Sequence, residues 1–425
     1  MGTKIVAVGP SKELMAKYPD VTVRDFGSSV IMPGFVDLHT HLEYSVMRGV
    51  CDDLPFGGWK VQIADKSQSL KDEDWRVSAK LGALEALASG ITTIADITPT
   101  GASLDAALES GLRARVYLEI TGMDPRETAS KVSASLKTFE GWQKRAAGSI
   151  VQLGLGPHAP YTVTPTLYAA ICAKARELDL PVATHLAGSQ EEFDFVKYGS
   201  SVLAGSYRDS EGWQELLWQP TGVSPVKYLE QWDVFDSDVL AIHCVHVTRE
   251  DLSLLKKYDV AVGHCPRCNA KLGMGIAPLD EFNARGLRVG LGTDSPASNN
   301  TMDFFDEMRI GLLLQRGRTG ATEGAGSSDF VRMATLGGAE ALGLGSHVGS
   351  LQAGLEADII VVDIATSHQV PAVEPYSGLV YTANQEDVVM TMVAGKVLYE
   401  NGEFKTLDEH RIGSDALPIR ERIFA

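Results

Sequence analysis

Short apolar runs rich in β-branched residues recur along the middle of this chain, and longer stretches of helical period separate them. That alternation implies strand–helix–strand units with parallel strands, because each crossover carries the chain back over the sheet before the next strand begins. Eight such runs stand at 35–39, 91–96, 115–120, 150–157, 182–185, 239–243, 260–264 and 288–294. Eight is the number at which such units close on themselves, so the pattern predicts an α/β fold, a (β/α)8 TIM-like barrel. Between the first two runs, residues 75–89 carry apolar side chains at helical spacing and stop at Gly90, as a crossover helix would.

The two ends of the chain read differently. Residues 4–8 and 21–26 offer two short strand candidates, with a turn at Gly9-Pro10. Residues 358–363 and 388–399 read as strands, and Asn401-Gly402 is a hairpin turn signal. Strands at both termini flanking a barrel predict a small composite β-sandwich from 1–32 and 345–425, around a catalytic barrel at 33–344. The Gly/Ser-rich stretch 319–328 reads as a surface loop.

Composition narrows the function classes. With 425 residues and a net charge of −17, and without a cluster of Lys and Arg, the chain is a poor candidate for nucleic-acid binding and suits a small neutral or cationic partner. Five cysteines do not suggest a disulfide framework, and no basic-then-apolar leader or run of about 18 apolar residues appears. The expectation is a cytoplasmic protein without a membrane span.

Histidine placement carries the chemistry. Of the ten histidines, six fall at or just after the C-terminal end of a predicted barrel strand, the face where such barrels build active sites. His39 and His41 are two apart, so an extended backbone points both side chains the same way. His185 ends the fifth run and Asp294 the eighth. Three imidazoles and one carboxylate suit a single divalent cation, Zn²⁺ or alternatively Fe²⁺, with room for an activated water.

The wording of these segments resembles the amidohydrolase superfamily. Residues 33–41 (PGFVDLHTH), 156–161 (GPHAPY), 184–187 (THLA), 243–246 (HCVH), 264–272 (HCPRCNAKL), 291–300 (LGTDSPASNN) and 354–358 (GLEAD) look like successive motifs of its branch of cytosine, guanine and methylthioadenosine/S-adenosylhomocysteine deaminases and triazine chlorohydrolases. Several motifs are most similar in wording to aminodeoxyfutalosine-deaminase-like proteins. The resemblance implies a mononuclear metal site and hydrolytic removal of ammonia or another leaving group from an aromatic N-heterocycle or nucleoside. It also implies a homodimer or higher homo-oligomer. In its terms Asp294 is both ligand and proton acceptor, His243 hydrogen-bonds the attacking oxygen, and His158 and Trp59 contact substrate. His246 and His264 are weaker candidates that read first as packed histidines, and Cys265 and Cys268 read as part of a family motif. Arg126 and Arg208 stand on loops where a substrate carboxylate could be met.

One position departs from the branch. Three residues after His185 the deaminases carry a glutamate that protonates the ring; here stands Gly188, at the substrate side of the site. Three explanations stay open: Glu191 or Glu192 replaces the acid, with Glu191 the first choice; the substrate needs no ring protonation; or the chain is a catalytically impaired homologue. The family also tends to carry further strands before residue 4, which predicts a less stable terminal domain.

Overall fold

The computed structural model describes residues 2–203, 219–371 and 374–424. Thirteen strands are described, in two sheets. Eight of them form the barrel: β2 (Phe35–Thr40), β3 (Ile91–Thr98), β4 (Arg113–Ile120), β5 (Val151–Pro157), β6 (Val182–Leu186), β7 (Val239–His243), β8 (Ala261–His264) and β9 (Arg288–Leu291). They pair in parallel and in chain order, β2 to β9. Each of the eight runs expected for the barrel contains a strand. Closure is made at the rim, where Asp294 N donates to His39 O at 2.8 Å and Thr293 N donates to the Asp37 carboxylate at 3.0 Å. All residues of β2, β3, β6 and β7 are buried, as strands covered by helices outside and packed side chains inside must be. Gly290 is required there: a Cβ on it would stand 2.7 Å from both Gly338 Cα and Leu38 Cδ1.

The helix expected at 75–89 is Asp72–Ala88, and Gly90 follows it at φ +81°. A second helix, Phe56–Ser67, precedes it on the same crossover and carries Trp59 to the rim. The last predicted run, 288–294, is paired only to Leu291, because the chain turns sharply at Asp294 (φ +61°) and leaves the ladder.

The other sheet is antiparallel, five-stranded and drawn from both termini: β1 (Ser29–Pro33), β10 (Ile359–Asp363), β11 (Val388–Val393), β12 (Lys396–Glu400) and β13 (Glu403–Phe404), in the order β1-β10-β11-β12-β13. Asn401-Gly402 makes the expected β12–β13 turn with both residues at positive φ. Two N-terminal details differ from expectation. Residues 4–8 contribute a single bridge, Lys4 to Glu356, beside the Thr3–Ile5 backbone bonds to 354–357. Residues 21–26 form no strand; β1 begins eight residues later. Alternating apolar residues make a strand only where a neighbour offers its ladder, and Val21 and Val23 remain exposed. A C-terminal helix, Glu409–Phe424, packs on Asp72–Ala88, with Arg422 donating to Asp74 at 2.6 Å. Among the described residues no helix is long and apolar enough to cross a membrane.

Candidate metal centre

The strand ends bring His39, His41, His185, His243 and Asp294 together. Two triads, His39–His41–His185 and His39–His243–Asp294, share His39, and within each the ligating atoms lie within 4.8 Å of one another. Each side chain is aimed from behind. The Asp37 carboxylate accepts from His39 N at 3.1 Å and from Thr293 Oγ1 at 2.6 Å, tying β2 to the end of β9. Burial pushes the Asp37 carboxyl up to about 7 against these hydrogen bonds. His41 Nδ1 donates to Ile97 O at 2.6 Å and His185 Nδ1 donates to His158 O at 2.9 Å.

Those two bonds settle the tautomers. With each Nδ1 protonated, the two Nε2 atoms present lone pairs to each other at 3.4 Å, an arrangement that repels unless a cation lies between them. Both ring nitrogens of His39 lack a hydrogen-bond partner among the described residues although the ring is fully buried, and Nε2 stands 3.5 Å from Asp294 Oδ1. A buried imidazole is ordinarily satisfied; one left open toward two other imidazoles and a carboxylate fits a divalent metal.

His243 Nδ1 donates to Asn269 Oδ1 at 2.9 Å, leaving Nε2 4.0 Å from Asp294 Oδ2. Asp294 accepts from Ser295 N at 2.7 Å and from the Cys268 thiol at 2.8 Å. Burial alone would raise the Asp294 pKa, but the His39 ring facing it and the neighbouring imidazoles hold it well below the carboxylate range. Burial lowers His39 to about 4 and His185 and His243 below their usual values, which keeps the imidazoles neutral and able to ligate. Ala187, His243 and Asp294 adopt φ of +50°, +76° and +61°. Such backbone costs about 1–3 kcal/mol per residue, and here it sits where strands end and side chains must turn inward.

A cleft opens beside this group, lined by His41, His158, His185, His243, Asp294 and Trp59, and also by Lys60, Glu119, Tyr44, Tyr161, Cys268 and Met274. Trp59 donates Nε1–H to Ala297 O at 3.2 Å, fixing its ring at the wall. His158 donates from Nδ1 to Thr162 Oγ1 at 2.7 Å and offers Nε2 to Lys60. Gly188 lies against the same wall: a Cβ there would stand 3.0 Å from Met274 Cε and 3.1 Å from His243 Cδ2.

Other sequence-predicted residues lie elsewhere. Glu191 does not line the cleft; its carboxylate lies beside Gly57. Glu192 is committed to the backbone, accepting from Ala187 N at 2.8 Å and Gly188 N at 2.9 Å. His246 donates from Nε2 to Met274 O at 2.7 Å, and His264 is buried outside the cleft lining. Arg126 forks onto Asp124 at the surface, and Arg208 lies outside the described residues. Lys60, Glu119 and Cys268 were not expected in the cleft. Glu119 was legible as a carboxylate near the end of a barrel strand, whereas no sequence signal aimed Lys60 at the cleft.

The Amidohydrolase family model matches residues 30–398, which spans the barrel and most of the terminal sheet. A 5-methylthioadenosine/S-adenosylhomocysteine deaminase of Moorella thermoacetica is 36% identical over 408 residues, covering 95% of this chain and 90% of the relative. An adenosine deaminase structure from Xanthomonas campestris with bound zinc superposes with a TM-score of 0.86 at 26% identity, covering 99% of this chain and 92% of that one. The atrazine chlorohydrolase of Arthrobacter aurescens TC1, complexed with zinc, shares the fold at 24% identity and a TM-score of 0.81, over 99% of this chain and 94% of that one. A match this long, over a barrel whose rim gathers histidines and an aspartate in the same order as their motifs, has one reading: the chain belongs to the amidohydrolase family, as a hydrolase acting on C–N bonds.

Proposed function

We propose that the chain is an aminohydrolase of an aromatic N-heterocycle or nucleoside, with His39, His41, His185 and Asp294 holding one Zn²⁺, or alternatively Fe²⁺. The facing Nε2 lone pairs of His41 and His185 carry this reading, because they leave a cation-shaped gap beside a carboxylate. An adenine nucleoside such as 5-methylthioadenosine or S-adenosylhomocysteine is the favoured substrate class, supported by the deaminase relative. The barrel, 33–344, is the catalytic unit, and 1–32 with 345–425 form its companion domain. A homo-oligomer is part of the proposal, to be checked by light scattering.

When bound, the metal lowers the pKa of water so that a nucleophile is available near neutral pH. The remaining work belongs to the chain. Asp294 takes the water proton and passes it to the departing nitrogen. His243, held by Asn269, directs its Nε2 side at the oxygen that adds to the ring carbon. Trp59 supplies a flat apolar wall for the ring, and His158 a polar contact at its edge. A role for Glu191 as ring acid requires movement of the turn at Gly188, since its carboxylate does not line the cleft.

The second reading, displacement of chloride or an amine from a triazine-like ring, is favoured by Gly188, which offers no acid side chain. Both readings are tested with one panel: aminopurines, pterins, adenine nucleosides and chlorotriazines, assayed for ammonia and chloride. The expected result is ammonia from an adenine nucleoside, abolished by a chelator and restored by Zn²⁺ or Fe²⁺. Chloride without ammonia selects the second reading, and fully metallated protein with no turnover selects a catalytically silent homologue.

A further inference from the structure

Lys60 is, among the described residues, the one lysine in the cleft lining, half-buried one residue past Trp59 on helix Phe56–Ser67, with Nζ 3.2 Å from His158 Nε2. The direction of that bond is fixed by what lies behind it. The Thr162 hydroxyl donates to Ala159 O at 3.1 Å, so Thr162 Oγ1 accepts from His158 Nδ1, and Nε2 is left as an acceptor. The Lys60 ammonium is therefore the donor, held at the cleft wall with protons to spare. Burial lowers the Lys60 pKa, while Glu119 on β4 and Asp294 beyond β9 favour its charged form. Tyr44, Tyr161, His41, His185, His243 and Cys268 complete the titratable groups lining the cleft with it.

No carboxylic acid is placed to serve the ring from the turn after β6. Gly188 has no side chain, Glu192 is bound to two backbone amides, and Glu191 lies outside the cleft lining. We propose that Lys60, donated through its contact at His158, is the acid that protonates the ring nitrogen in this chain. The inference rests on the deaminase reading above. As the water oxygen bonds to the amine-bearing carbon, one water proton passes to Asp294, and a Lys60 N–H bond breaks as the ring N–H forms. Asp294 then delivers its proton to the exocyclic nitrogen, the C–N bond breaks, and ammonia leaves. The hydroxyl proton freed as C=O forms returns to the protein and restores the ammonium. The ring keeps the proton that came from Lys60, and two water protons account for the balance.

The test compares wild type, Lys60→Met and Lys60→Arg for metal content, melting temperature and the pH profile of ammonia release. Both variants retain metal and fold, and kcat falls by about 10²–10⁴, the loss typical of a missing general acid. The alkaline limb of the wild-type profile, where the ammonium loses its proton, disappears from the residual activity of Lys60→Met. A loss of less than about tenfold in Lys60→Met overturns the proposal. So does wild-type turnover by Lys60→Arg, because a guanidinium keeps the charge but does not release a proton in this range. If fully metallated wild type releases no ammonia from any substrate of the panel, the deaminase reading itself falls and takes this proposal with it.

Discussion

In the proposed mechanism Asp294 meets two demands that usually conflict, ligating a cation and accepting a proton. Its surroundings reconcile them: one oxygen accepts from Ser295 N and faces His39, and the other accepts the weakly donating Cys268 thiol and faces His243. Asp294→Asn preserves the shape and the Ser295 bond but cannot take the water proton. Steady-state assays are expected to show kcat lower by about 10²–10⁴ with the melting curve of the metal-free protein little changed. Retention of wild-type kcat would remove Asp294 from the proton path. The residues at this scale divide by what sequence can encode. His39, His41, His185, His243 and Asp294 were legible because strands fix where their ends go and period-two geometry fixes which way side chains point. Lys60 and Cys268 were not, because each enters the cleft from a helix after a loop, where direction depends on packing the sequence pattern does not display.

The eight barrel strands and the crossover helix at Asp72–Ala88 were legible to within about three residues, since apolar runs buried on both faces stand out from amphipathic helices, while the helix Phe56–Ser67 was not read. The terminal sheet was harder: its N-terminal contribution was expected at 4–8 and 21–26, yet the strand is Ser29–Pro33, chosen by the partner edge of β10. One residue shows how the two units are joined. Asp358, at the start of β10, accepts from Arg113 Nε at 2.8 Å and Nη2 at 3.1 Å on β4, and from Ala394 N at 2.8 Å in the β11–β12 turn. The Asp358 side chain is almost wholly buried, so Asp358→Ala would strand a guanidinium and a backbone amide away from water. Such a loss costs roughly 3–5 kcal/mol. Urea denaturation is expected to show it, with ammonia release unchanged in folded protein because the cleft lies at the opposite, C-terminal rim of the strands. A midpoint equal to wild type would mean that the joint is solvated.

For the molecule as a whole, the buried titratable groups set how stability depends on pH, and they pull in opposite directions. Burial raises Asp37, Glu43 and Glu192 to about 7 and Glu307 to about 8. A carboxyl held protonated in the fold, but ionised in the unfolded chain, contributes stability that is present below the ordinary carboxyl range and lost as pH rises through its folded value. Burial lowers His39 to about 4 and His264 to about 3, with His158 and His185 also well below the usual value. Those imidazoles destabilise the fold only where the unfolded chain gains protons, an effect that fades as pH rises past about 6.5. Between pH 6.5 and 8.5 the carboxyls outweigh the fading contribution of the imidazoles, and the buried Cys172, Cys244, Cys265 and Cys268 thiols, raised by burial, pull the same way. Chelator-treated protein is therefore expected to melt at progressively lower temperature across that interval, with a slope bounded by about 1.4 kcal/mol per pH unit for each proton released. Calorimetry at several pH values measures it directly. A flat or rising melting temperature would show that these carboxyls ionise freely in the fold, and that the hydrogen bonds from Thr293, Thr98, Thr100 and the Gly188 turn outweigh their burial.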